Sequence, residues 1–205
     1  MGEVAWFHVE HLEPIRLLAS EFEVILDDAQ LRALDRYAAW LVDEATLAGG
    51  IGPNEADSVV DRHLLDSLSF LAPIDSPPGS LLDVGSGVGL PGIPLAIALP
   101  ETDVVLVDRS GRRCTLLNRA IRVLDLENAE VVQADVSEVR RWADVVVSRA
   151  SLPPSELLPH LRRLTNLGIV AGSTRSEPRP EGYQAMKIES RYLEIPRWLL
   201  IMRQS

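Results

Sequence analysis

The stretch "DVGSGVGLPGIPLAI", residues 83–97, decides how the chain is read. Five of its positions are Gly or Ser and two are Pro, set between an apolar run and a helix-like one. Gly85, Gly87 and Gly89 let the backbone turn tightly, and without a Cβ a ligand could reach the peptide plane. Pro91 and Pro94 fall in the first turn of the following helix, where a missing N–H costs little. Pro100 then closes that helix. A strand, a glycine turn and a helix in this order form the ligand-binding corner of an open parallel sheet.

Working outward, the grammar after Ser80 is one of short apolar runs alternating with helical patterns. The runs 81–84, 104–107, 130–133, 145–148, 169–171, 184–188 and 198–202 read as strands. The patterns over 91–99, 111–124, 136–142 and 155–164 read as helices. Such alternation with short loops predicts a doubly wound α/β fold, a mostly parallel seven-stranded sheet covered on both faces. The last two strands follow without a helix between them, which predicts an antiparallel pair at the end. Upstream, residues 1–26 show no clean period. From Asp27 the apolar residues Leu31, Leu34, Tyr37, Ala38 and Leu41 fall at helical spacing behind an Asp cap. "LAGGIGPN" at 47–54 breaks the chain. This divides it into a small N-terminal helical segment, 1–54, and a main domain, 55–205, whose first helix stops before Pro73.

The net charge of −10 over 205 residues argues at first against a nucleic-acid partner, but it is unevenly spread. Residues 1–60 hold 12 acidic residues and 3 arginines, whereas the rest of the chain is nearly balanced. The basic side chains are all arginines except Lys187, and arginine's planar fork suits phosphate and carboxylate. A single cysteine, Cys114, excludes an intrachain disulfide framework and fits a reducing cytoplasm. It reads as a small core-side residue of a helix rather than a reactive thiolate. No apolar run is long enough for a membrane span.

Two cofactor classes compete for the glycine turn. A dinucleotide fingerprint needs G-x-G-x-x-G directly after the strand. Counted from Gly85 the sixth position is Leu90, and the pattern fails; counted from Gly87 it comes two residues late. An acidic residue in the strand followed by G-x-G-x-G is similar instead to the first motif of S-adenosyl-L-methionine-dependent methyltransferases. That ligand carries no pyrophosphate, and its ammonium and sulfonium call for negative surroundings, which Asp83 could supply. Asp108, ending the second strand, could accept ribose hydroxyls in either class.

Three strings in order, "RHLLDSL" at 62–68, "DVGSGVGLPGIPLAI" at 83–97 and "SRA" at 148–150, resemble the bacterial glucose-inhibited division protein B family. Its members are guanine-N7 methyltransferases of 16S ribosomal RNA, with a Rossmann-like fold. The likeness runs over roughly residues 59–158. It implies that Gly85 and Leu90 contact S-adenosyl-L-methionine, with Ser86 and Gly87 in the same turn and Asp108 on the ribose. Val136 and Ser137 would cradle adenine. Arg149 would reach the methionine end or the incoming base, as the residue nearest to a catalytic one. His63, Asp66 and Ser67 would line the cleft, and Arg112 and Arg113 would meet the substrate. The implied partner is 16S rRNA or the small ribosomal subunit, with no membrane and no metal, in the cytoplasm.

The departures from the family lie around the substrate. Ser137 stands where the family has an acidic residue, with Asp135 close by. The region before "RHLLDSL" reads "TLAGGIGPNEADS" instead of an asparagine-rich stretch, and "VAGSTRSEPRPEGY" after the fifth strand lacks the family's Lys-Gly pair. A divergent paralogue with another substrate, even a small molecule, and a non-catalytic nucleotide-binding protein therefore stand as alternatives. Guanine N7 already carries a lone pair at neutral pH, so its methylation needs alignment rather than a general base. Arginines 109, 112, 113, 119 and 122 could supply phosphate contacts, or those on the helix could simply face solvent opposite Leu116, Leu117, Ala120, Ile121 and Leu124.

Overall fold

Short apolar runs build the sheet, buried on both faces in the central strands and half-exposed at the two edges. In a computed structural model, which describes residues 12–45, 59–149, 151–172 and 181–204, they are β1 Ser80–Val84, β2 Asp103–Asp108, β3 Ala129–Gln133, β4 Val145–Ser148, β5 Leu167–Ala171, β6 Gln184–Ile188 and β7 Arg197–Arg203. Their spatial order is β3-β2-β1-β4-β5-β7-β6. Strands β1 to β5 pair in parallel, and β7 runs antiparallel to both β5 and β6. The expected antiparallel ending is present, with β7 inserted between its neighbours.

The period of two in the strands sends alternate side chains to opposite layers. Leu81, Val104, Leu106, Val145 and Val147 join the core beneath the helices α1 Glu13–Glu21, α2 Asp28–Trp40, α3 Leu65–Leu68, α4 Gly92–Ala98 and α5 Gly111–Leu124. Leu82, Val84, Val105, Val107 and Val146 face the other way, against Leu157, Leu161 and Leu164 of α6 Pro154–Leu164. Order reversal at β1, between β2 and β4, leaves a crevice above its carboxyl end.

The unreadable N-terminal stretch contains α1, where Ile15, Leu18 and Ala19 are buried at i, i+3 and i+4. The Asp27 cap of α2 is a full capping box. Asp27 Oδ1 accepts from the Gln30 backbone at 2.8 Å, and Gln30 Oε1 accepts from the Asp27 backbone at 2.9 Å. The same Gln30 amide donates to the Ile97 carbonyl at 2.8 Å, tying α2 to the end of α4. Ile15, Leu18, Leu34 and Tyr37 lie in one continuous core with α4 and α5. The joint expected at 47–54 lies outside the described residues.

One expected helix does not form. Residues 136–142 make only a turn, because other groups take the carbonyls that a helix would need. The Arg163 guanidinium donates to the Val136 carbonyl at 2.9 Å and to the Val139 carbonyl, and Arg140 donates to the Ser137 carbonyl at 2.6 Å. Cys114 is buried, with its thiol on the Asp108 carbonyl at 3.3 Å, as a core-side residue should be.

Candidate active site at the carboxyl edge of the sheet

Excluding bulk from the 83–92 turn is mostly the protein's own requirement. Gly85 has φ +73°, and a Cβ there would lie 2.2 Å from the Ser151 Cβ. A Cβ on Gly92 would lie 2.3 Å from Leu106 and 2.6 Å from the Asp83 carboxylate. Gly87 differs. Its φ is +63°, yet a Cβ would meet only the Gly85 carbonyl, at 3.9 Å, so its outer side is open. From α2, the buried Tyr37 hydroxyl donates to the Val88 carbonyl at 2.9 Å and pins the turn from below.

Most backbone donors of the turn are already committed. The amides of Gly85 and Ser86 donate to the Val107 carbonyl, at 2.8 and 3.0 Å, and those of Gly89 and Leu90 to the Ser86 carbonyl. Gly87 donates to Asp108 Oδ2 at 3.0 Å. At the start of α4, where a dinucleotide fold would place pyrophosphate, the Gly92 amide donates to Asp83 Oδ2 at 3.0 Å. Asp83 is therefore an internal anion at the helix terminus. A pyrophosphate would meet spent donors and a resident carboxylate.

Asp83 is wholly buried. Desolvation pushes its carboxyl up to about 6, against the lowering effect of the Ser86 hydroxyl, the Gly92 amide and the Arg149 charge. Ser86 Oγ donates to Asp83 Oδ2, while Oδ1, also buried, has no hydrogen-bond partner among the described residues. The Asp83 charge is felt at Asp108, which lines the crevice, and a cation there would be favoured.

The crevice is lined by Val84 and Gly85 at the end of β1, Val107, Asp108 and Arg109 at the end of β2, Arg113 of α5, Ala134, Asp135 and Val136 after β3, and Ser151 and Leu152 after β4. Asp108 is nearly buried. Its Oδ1 accepts from the Ser110 amide at 2.9 Å, and its Oδ2 lies 3.6 Å from Arg113 Nη1 as well as on the Gly87 amide. It thus braces two loops as well as facing the crevice. Asp135, the acidic residue close to Ser137 in the sequence, lines the crevice. Ser137 is exposed, does not line the crevice, and donates its backbone and hydroxyl to Asp135 Oδ1 at 3.0 and 2.7 Å. These two bonds hold the Asp135 carboxyl below the usual range.

Other expected site residues are placed differently. Ser86 and Leu90 are buried, with the Ser86 hydroxyl on Asp83 and the Leu90 side chain in the core. Ser67 is fully buried and donates to the His63 carbonyl at 2.6 Å, so its hydroxyl serves its own helix rather than a cleft. That helix is irregular, a wide π turn over Val60–Leu64, then α3, then a tight turn over Ser69–Leu71. Its irregularity brings His63 and Asp66 to the segment after β4. Arg149 Nη1 lies 3.0 Å from Asp66 Oδ2, and Nη2 is 3.5 Å from His63 Nδ1. A second arginine that sequence reasoning missed, Arg197 at the start of β7, holds Asp66 Oδ1 at 2.8 Å. Arg112 and Arg113 are exposed at the start of α5, Arg113 beside the crevice.

Residues 30–170 match the family described as rRNA small subunit methyltransferase G. The chain belongs to this family. A relative of that name from Stutzerimonas stutzeri is 35% identical over 158 residues, 76% of this chain and 74% of the relative. Another, from Syntrophus aciditrophicus, is 37% identical over 147 residues, of which the match spans 61% of the relative. One from Mycobacterium leprae is 36% identical over 165 residues, spanning 65% of that protein. The match thus spans about three quarters of one relative and under two thirds of the other two. The fold is also that of solved methyltransferases. The magnesium protoporphyrin IX methyltransferase of Synechocystis, solved with SAM bound, superposes with TM-score 0.56 at 17% identity, over 87% of this chain and 98% of that one. A ribosomal protein L11 methylase from Lactobacillus delbrueckii gives 0.55 at 19% identity, over 70% and 79%.

Membership makes the chain a methyltransferase, with S-adenosyl-L-methionine as its cofactor. The residues present fit that group: an open face at Gly87, a buried carboxylate oxygen behind the turn without a partner among the described residues, and amides at the start of α4 already bound within the protein. Among the described residues no helix is long and apolar enough to cross a membrane.

Proposed function

We propose that this chain methylates N7 of a guanine in 16S ribosomal RNA. The observation that carries the reading is the state of the carboxylates lining the crevice. Asp108 and Asp135 both already accept backbone N–H bonds, which tie them to the loops of the crevice. Crevice carboxylates engaged in this way suit an acceptor that needs no base. Guanine N7 offers its lone pair directly, so what the protein must supply is alignment and tolerance of moving positive charge.

When bound, S-adenosyl-L-methionine supplies the methyl group on a sulfonium. Gly85, Ser86, Gly87 and Leu90 would shape its seat, with the side chains of Ser86 and Leu90 turned to the protein and only Gly87 open. Asp108 would face the ribose, and Val136 with Asp135, held by Ser137, would flank adenine. Arg149, drawn toward His63 and Asp66, would meet the methionine end or the incoming base. Exposed arginines at 109, 112, 113 and 122 would contact RNA phosphates, whereas Arg119 is engaged with Glu44 at 2.8 Å. Mass mapping of 16S rRNA from cells with and without the gene tests the reading. Loss of one 7-methylguanosine in the deletion, restored by the purified protein acting on small subunits, is expected. An unchanged methylation map would overturn it.

A further inference from the structure

Arg197 opens β7, beyond residue 170 where the family match ends, and that likeness gives it no role. Its side chain is only 14% exposed, an uncommon place for an arginine. Nη1 donates to the Ile195 carbonyl at 2.9 Å, and Nε lies 2.8 Å from Asp66 Oδ1. The other oxygen of Asp66 is taken by Arg149 Nη1, at 3.0 Å. One negative charge is thus divided between two guanidinium groups, one oxygen to each.

The division has a consequence for Arg149. A carboxylate and a lone guanidinium prefer a two-pronged, fork-to-fork pair. With Oδ1 occupied, Asp66 can offer Arg149 a single prong. Arg149 then keeps its other donors for other partners, one of which faces His63 Nδ1 at 3.5 Å. The three side chains come from three places, the helix at 59–71, the turn after β4 and the first residue of β7. Arg149 sits in that turn between Ser148 and the crevice-lining Ser151, and its charge reaches Asp83 and Tyr37. Asp66 and Arg197 also line a neighbouring cleft on the same sheet edge, with Gly172 after β5 and Trp198 of β7.

We propose that Arg197 is a positioning residue for methyl transfer: by occupying Asp66 Oδ1 it keeps Asp66 from closing on Arg149, and so aims the Arg149 guanidinium. The inference rests on the reading above that Arg149 serves the cofactor or the incoming base. A misplacement of about 1 Å at such a group costs on the order of a hundredfold in rate.

The test uses Arg197→Ala, Arg197→Gln and Arg197→Lys, with Asp66→Asn and Arg149→Ala, in methyl transfer to purified small subunits and in calorimetric titration with S-adenosyl-L-methionine. Arg197→Ala and Arg197→Gln should lower kcat or cofactor affinity about ten- to a hundredfold while KM for the subunit stays near wild type. Arg197→Lys should recover most of the loss, since one ammonium can hold Oδ1. On the Asp66→Asn background, which removes the competing charge, Arg197→Gln should add little. If Arg197→Ala does not fold, the Gln and Lys pair decides alone. Wild-type kinetics and affinity in Arg197→Gln, with Arg149→Ala impaired, would overturn the proposal and leave the reading of Arg149 standing. Losses that simply add on the Asp66→Asn background would overturn it too, as those of a merely structural contact. Normal turnover by Arg149→Ala would instead sink the underlying reading.

Discussion

Asp83→Asn offers the sharpest check on the electrostatics of the glycine turn. Burial pushes the Asp83 carboxyl up to about 6 in the folded protein, against about 3.9 in an unfolded chain. Between those values the native state holds a proton that the unfolded state has released. Stability must therefore fall as pH rises from about 4 to 6 and level off above, once both states are ionised. Each pH unit between the two values is worth about 1.4 kcal/mol, so the whole effect is about 3 kcal/mol. Asparagine cannot titrate. Urea unfolding at fixed ionic strength, without cofactor, should show wild type losing about 3 kcal/mol relative to Asp83→Asn between pH 4 and 6.5, then a constant difference to pH 8. Besides burial, the Ser86 hydroxyl, the Gly92 amide, Arg149 and Asp108 act on this value, and all remain in the variant. The same carboxylate should sense a cationic ligand. Affinity for S-adenosyl-L-methionine should rise through about pH 6 in wild type and stay flat in the variant. Parallel stability curves across pH 4–6.5 would refute the assignment of a protonated buried carboxyl.

Gly85→Ala sets a Cβ 2.2 Å from Ser151 at a left-handed φ, and should cost more than about 2 kcal/mol in thermal unfolding. Gly87→Ala, with open space outside, should cost only about 1–2 kcal/mol of backbone strain, yet weaken cofactor binding disproportionately in calorimetry. Asp108→Ala removes the acceptor for the Gly87 and Ser110 amides, so stability and cofactor affinity should each drop by about 1–3 kcal/mol; a fall in affinity alone would show that its loop bonds contribute nothing. Arg122→Glu should weaken rRNA binding and reduce its salt slope by about one unit, while Arg119→Glu, which loses a surface pair with Glu44, should shift stability by less than about 1 kcal/mol.

Periodicity and punctuation alone determined much of this protein. Continuous Val/Leu/Ile runs such as 104–107 and 145–148 can only be satisfied where both faces are covered, which fixes a parallel sheet, and the string at 83–97 marks the turn where such a sheet binds ligands. The residues 136–142 deceived because their carbonyls are taken by Arg163, 27 positions away at its furthest, and no local pattern records such a bond. Helix α1 was illegible because one turn of buried residues gives too short a period to read. The glycines were legible as a demand for small residues, but not as to what demanded them. Only packing shows that Ser151, Leu106 and Asp83 crowd Gly85 and Gly92 while Gly87 faces open space. Likewise Asp83 reads as a charge for a ligand, and the fold turns it inward onto the start of α4. Arg197 is one of 19 arginines along the chain and carries no motif. It meets Asp66 only because β7 inserts between β5 and β6 and brings its first residue to the carboxyl edge. Sequence sets what each segment must bury, since that depends on near neighbours along the chain. Which distant group ends each hydrogen bond is decided by the closing of the sheet.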